Sequence, residues 1–150
     1  MSRHTFSALL VAIIVMAIGP SVFAWQPADG PLMTRWAKDV SPENVWVEYP
    51  RPQMVRPEWT NLNGLWQYSI QGEGDGKPAE WDGEILVPFA VESALSGVMK
   101  SVQPDQKPWY RRTFETPAMP EGNRLCPHFG PVDWHCPVWV TGTNVGVHPG

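Results

Sequence analysis

From Leu65 onward the sequence takes on a period of two. Trp66, Tyr68 and Ile70 alternate with Gln67, Ser69 and Gln71, as in a strand with one face buried and the other wet. Further short stretches of strand character follow at Glu84 to Val87, Trp109 to Glu115 and Val138 to Val140. Turn-forming residues stand between them. Gly72 to Gly76 carries three glycines and Asp75, Ser101 to Pro108 is a polar loop, and Thr116 to Asn123 holds two prolines and a glycine. With 17 prolines and 13 glycines in 150 residues, no segment reads as a long helix. Two short exceptions are expected: two turns over Thr34 to Val40, with Thr34 as N-cap and Ser41-Pro42 as stop, and one turn over Glu92 to Gly97. Regularly spaced strands separated by turns predict an all-β sandwich.

The N-terminus predicts export. Arg3 and His4 precede an unbroken apolar run of 11 residues, Ala8 to Ile18; Gly19-Pro20 breaks it, and Val22 and Ala24 occupy the positions a signal peptidase reads. A bilayer-spanning helix needs about 20 apolar residues, so the run predicts a signal peptide cut before Trp25, with no stable membrane span afterwards. Residues 25–57 are proline-rich, and Tyr49-Pro50-Arg51-Pro52 is too stiff to join a central strand. They read as an extended leader wrapped onto the edge of a β domain over 58–150. A net charge of −4, with Arg111-Arg112 as the one tight basic pair, argues against a nucleic-acid partner. Nine tryptophans are the compositional outlier, and most are expected in cores.

Three blocks stand out in order: Leu62-Asn63-Gly64-Leu65-Trp66-Gln67-Tyr68-Ser69-Ile70, then Gly83-Glu84-Ile85-Leu86-Val87-Pro88-Phe89-Ala90-Val91-Glu92-Ser93, then Trp109-Tyr110-Arg111-Arg112-Thr113-Phe114-Glu115. In that order and spacing they resemble the N-terminal sugar-binding domain of glycoside hydrolase family 2, which includes β-galactosidases, β-glucuronidases and β-mannosidases. The resemblance covers roughly residues 31–148. It implies a jelly-roll β-sandwich, incomplete at the C-terminus, from an exported enzyme that hydrolyses β-glycosidic bonds by double displacement without a cofactor. It also implies a carbohydrate partner for the full-length enzyme. Both catalytic glutamates of that family belong to a downstream barrel, so the chain reads as a fragment and no residue in it is assigned to catalysis.

Within the third block, Trp109 and Arg111 are the candidate substrate-binding residues, since indole and guanidinium groups suit sugar faces and hydroxyls. Alternation places Tyr110, Arg112 and Phe114 on the inward face. An inward Arg112 is expected to need a carboxylate, for which Asp133 is a candidate. Cys126, His128, His135 and Cys136 fall within 11 residues, but their spacing and strand alternation predict no metal site. Two cysteines are too few to imply a disulfide framework.

Beyond Arg124 the frame of the resemblance persists with substitutions. Pro127, Pro131, Pro137 and Pro149 stand where leucine, alanine, threonine and arginine are expected, and Thr141 stands where the asparagine of an Asn-Gly hairpin belongs. Each is one base change to cytosine from the expected residue, the pattern of a decaying gene or read. Pro127 and Pro137 are expected inside strands, where each removes a ladder donor. Gly142 to Gly150 reads as a hairpin cut midway. The alternative to the hydrolase is a stand-alone secreted carbohydrate-binding module, with a secreted scaffold or interaction domain as the third possibility.

Overall fold

The computed structural model describes residues 25–130 and 132–149; the segment expected to be a signal peptide and Pro131, expected to be a substitution, lie outside the described residues. Five strands form two antiparallel sheets: β1 (Gly64–Gly72), β2 (Gly83–Val87) and β3 (Gln106–Arg111) in the order β2-β1-β3, and β4 (His135–Val140) with β5 (Thr143–Pro149). The chain divides after Phe114 into two compact units, each holding one sheet.

In the first unit, β1 is the central strand. Trp66 lies opposite Ile85, and Tyr68 opposite both Gly83 and Tyr110. This face carries the core, where Tyr68, Ile85 and Val91 are buried and Trp66, Ile70, Val87, Val98 and Val102 pack against them. A fully buried Ile85 contributes about 1.5–3 kcal/mol of transfer free energy. The opposite face is not simply wet, as the alternation had predicted. Ser69 and Leu86, which stand on it, are both 0% exposed. Ser69 Oγ accepts a hydrogen bond from Gln71 Nε2, so the hydroxyl is satisfied despite its burial.

The third block forms its strand earlier than expected. β3 starts at Gln106, inside the segment read as a loop, and ends at Arg111. Pro108 is compatible because β3 pairs only with β1 and so lies at the sheet edge. Tyr110 consequently remains 39% exposed, and Phe114, beyond the strand end, 45% exposed; neither is the core residue that alternation implied. The tryptophans depart further from expectation, since none of the nine is buried. Trp36, Trp46 and Trp134 sit in turns and bends outside the strands and are exposed.

The leader is held by backbone and indole hydrogen bonds. Trp25 Nε1 donates to Ser96 O and Ala28 N to Ala94 O, both on the short 3-10 turn Ala94–Ser96. Gly97 closes that turn at φ +81°, and a Cβ there would come within 2.6 Å of Trp25 Nε1, so both torsion and space call for glycine. Ser96 is fully buried and satisfied: its Oγ lies 2.7 Å from Ser93 O and accepts from the Val98 amide. The helix expected over Thr34 to Val40 is reduced to a 3-10 turn, Ala37–Asp39, preceded by Trp36 without a side-chain cap. Thr34 contributes its carbonyl, which accepts from Ala37 N.

A compact junction ties the leader, β1 and the end of β3 together. Arg112 Nη1 donates to Leu62 O at 2.9 Å and Asn63 O at 2.8 Å, with Leu65 O at 3.5 Å. Trp66 Nε1 donates to the same Leu62 carbonyl at 2.7 Å. Asn61 and Asn63 both donate through their side-chain amides to Trp46 O. Gly64 is buried at φ +120°, where a Cβ would lie 2.9 Å from Arg112 Nη1 and 3.2 Å from Pro42 O. Arg112 is thus compensated by carbonyl oxygens of its own unit and does not require the carboxylate of Asp133.

In the second unit, β4 and β5 form a closed hairpin rather than one cut midway. Thr141 (φ 48°) and Gly142 (φ 82°) are its two-residue loop, and both positive φ values match a type I′ turn. The ladder slips by one residue between Val138 and Trp139, forming a bulge. Pro127 lies outside any strand and is exposed. Pro137 pairs with Val147 in a two-stranded ribbon, so it occupies no central strand. The backbone penalty expected from these prolines does not arise, because neither sits between two partners.

Gly64→Ala is expected to destabilise the chain by about 2–3 kcal/mol through φ strain and the contact with Arg112, and Arg112→Ala by about 1–3 kcal/mol through orphaned carbonyls, both read by denaturant unfolding. Thr141→Asn is expected to stabilise the hairpin by about 1 kcal/mol, because asparagine tolerates the left-handed region that β-branched threonine resists. Slower amide exchange across β4 and β5 would register the gain, and unchanged exchange would show that the turn is unstrained.

Candidate outer-face site

The face of the first sheet opposite the core presents its residues in rows set by strand register. Glu84, Gln67 and Arg111 form one row across all three strands; Ser69 and Trp109 form the next, and Gln71 and Lys107 the one after. Sequence alternation therefore placed the two candidate residues correctly on one face, and the structure adds their neighbours. Arg111 Nε donates to Gln67 Oε1 at 2.8 Å, and the guanidinium carbon stands 4.4 Å from the ring centroid of Trp81. Lys107 Nζ lies 5.8 Å from the Trp109 ring centroid and donates to Glu73 O. Arg111 is exposed, while Trp81 and Trp109 are half-buried.

Trp81 and Gln67 were not found from sequence. Trp81 lies in the irregular segment between β1 and β2, where no periodicity signals which way a ring points. Gln67 read as an ordinary wet residue of an alternating strand. A tryptophan two residues before a strand gave the one available hint, and it does not distinguish packing from recognition.

Arg111 and Arg112 are adjacent in sequence and differ in role because alternation sends them to opposite sides. Arg112 is absorbed by the carbonyls of the β1 entrance. Arg111 uses one N–H on Gln67 and lies over an indole, an arrangement that fixes the plane of its fork while leaving it in solvent. Tyr110, between them, faces Tyr68. The partial cover of its phenol, followed by the negative charge of Glu92, holds it above the usual tyrosine range.

Two depressions are present elsewhere. In the first unit Ile70, Asp82, Lys100, Ser101 and Gln106 line an open hollow of about 370 Å³. Its polar groups are partly engaged: Asp82 Oδ2 accepts from Ile70 N, and Lys100 Nζ lies 3.5 Å from Tyr68 Oη. In the second unit Phe129, Gly130, Val132, Cys136, Val138 and His148 line a hollow of about 210 Å³. Among the described residues no group of three or more His, Cys, Asp or Glu side chains is arranged to hold a metal ion, and no helix is long and apolar enough to cross a membrane.

Neither a family model nor a curated protein matches this sequence.

The two cysteines are both free thiols, Cys126 exposed and Cys136 partly covered. Burial pushes the Cys136 thiol above its ordinary value of 9.0. Since the thiolate is the nucleophile, iodoacetamide at about pH 8 is expected to label Cys126 several-fold faster than Cys136. The gap should narrow as pH rises towards the Cys136 value. Peptide mass mapping over time reads both rates, and equal rates at the lower pH would show that the cover on Cys136 is not maintained.

Proposed function

We propose that this chain is the N-terminal sugar-binding domain, a jelly-roll β-sandwich, of an exported glycoside hydrolase similar to family 2. In this reading it scaffolds the hydrolysis of β-glycosidic bonds without supplying either catalytic carboxylate. One observation carries it. The three blocks behind the resemblance, dispersed along the sequence, are neighbouring strands of one sheet. The first block pairs with the second from Gly64↔Val87 to Tyr68↔Gly83, and with the third from Gln67↔Arg111 to Ser69↔Trp109. The Asn-Gly of the first block and the second arginine of the third also meet, at Gly64 and Arg112. Blocks that depend on one another physically are what a family signature of structural origin requires.

The outer-face cluster supports a second reading, a stand-alone secreted carbohydrate-binding module. Trp81, Trp109 and Arg111 form an aromatic and cationic platform that needs no catalytic domain to meet a sugar.

Retaining hydrolysis needs two carboxyl groups about 5–5.5 Å apart. The purified chain is therefore expected to show no turnover of aryl β-glycosides. Turnover abolished by replacing an acidic residue of this chain would overturn both readings. The DNA after Gly150 separates them: a continuing frame with a later Asn-Glu pair supports the hydrolase, and a stop codon followed by unrelated sequence supports the module.

A further inference from the structure

We propose that the outer face of the β2-β1-β3 sheet binds an acidic oligosaccharide, with the ligand's carboxylate on the Arg111 fork and its sugar ring against the neighbouring Trp109. The proposal rests on the reading that this domain meets carbohydrate, and it specifies the chemical class.

The argument begins with unspent donors. Among the described residues, Arg111 makes one hydrogen bond, from Nε to Gln67 Oε1, and one ring contact, with Trp81. Nη1 and Nη2, with four N–H donors, make no hydrogen bond or ion pair with the described residues. Arg112 offers an internal comparison: its Nη1 is occupied by the carbonyls of Leu62 and Asn63. An exposed arginine ordinarily samples many rotamers, and fixing it for a ligand carries an entropic cost. Here the Trp81 indole at 4.4 Å holds the guanidinium at its face and the Gln67 amide at 2.8 Å holds it at its edge. The fork is arranged before any ligand arrives, and a planar fork matches a carboxylate through two parallel hydrogen bonds.

The surroundings select the rest of the ligand. Trp109 lies two residues before Arg111 on the same face, about 7 Å along the strand. That separation suits a pyranose whose ring rests on the indole while its carboxylate reaches the guanidinium. Lys107, two residues further back, carries its ammonium back towards the Trp109 ring, 5.8 Å from the centroid, while donating to Glu73 O, so the positive charge on this face continues from Arg111 along β3. The one carboxylate in the Arg111 row is Glu84 on β2, with Gln67 standing between them. It disfavours an anion at the β2 side and so directs the ligand along β3, from Arg111 towards Lys107. An acidic peptide would satisfy the charges but has no equivalent of the flat apolar sugar face that an indole recognises.

The test uses the purified chain, with tryptophan fluorescence and heteronuclear NMR following titration by three probes: a hexamer of galacturonic acid, a neutral galactose hexamer and hexaglutamate. The acidic sugar is expected to bind at least tenfold more tightly than either control, and to weaken as salt is raised. Arg111→Gln should remove that preference, and Arg111→Lys should weaken acidic-sugar binding several-fold because it keeps charge without the fork. Trp81→Ala tests positioning: it should lower the ratio of acidic to neutral binding, which a purely structural residue would leave unchanged. Unaltered thermal unfolding of Arg111→Lys confirms that the face is intact. Equal binding of the neutral hexamer overturns this inference and leaves the sugar-binding reading standing. Equal binding of hexaglutamate overturns it in favour of charge alone. Failure of both sugars to bind overturns this inference and the sugar-facing role together.

Discussion

The first unit depends on the carbonyl of Leu62. It accepts from Trp66 Nε1 and from Arg112 Nη1, so one backbone oxygen joins the entrance of β1 to the chain just beyond β3. Two donors on one oxygen require the guanidinium to come close to the backbone, and that approach is open only because Gly64 has no Cβ. The same turn presents Asn61 and Asn63, which hold Trp46 of the leader. A salt bridge at this place would need a second buried charge and its desolvation. Carbonyls on Nη1 hold the guanidinium without a second buried charge, and they fix its direction.

That junction also sets the two faces of the sheet. With Arg112 drawn towards the β1 entrance, alternation along β3 turns Tyr110 towards Tyr68 and Arg111 away from it. The outer face then receives a cation that no backbone carbonyl of the described residues holds, and Trp81 from the β1–β2 connection lies against it. The solvent-facing position of one arginine and the structural role of the next have the same geometric cause. The hairpin of the second unit works on different terms. Its strand β5 is exposed throughout, and its two-residue turn carries threonine where φ is positive, so its stability is local and sensitive to the turn.

Much of the first sheet was legible in sequence because strand alternation is a local property. Trp66, Tyr68 and Ile70 share the core face as their spacing indicates, and Trp109 and Arg111 share the other. The misreadings have identifiable causes. Pro108 suggested a loop, because proline removes a donor, yet an edge strand does not need that donor. Tyr110 and Phe114 were expected in the core because alternation reports which face a residue occupies but not whether anything covers that face. The same limit applies to the tryptophans: their number suggested a core, and their placement in turns and on the outer face leaves them partly in solvent.

What the sequence by itself determined is the alternation that chooses faces and most of the turns that separate the strands. These follow from torsional preference and periodicity within a few residues. Tertiary structure alone decided that Arg112 is paid in carbonyls, that Ser69 is buried on the supposedly wet face, and that Trp81 and Gln67 meet at Arg111. Those outcomes depend on which strand lies beside which and in what register. A side chain's partners come from residues as far as 50 positions away, as Leu62 is from Arg112, or 71, as Ser96 is from Trp25, and no local pattern encodes such distances.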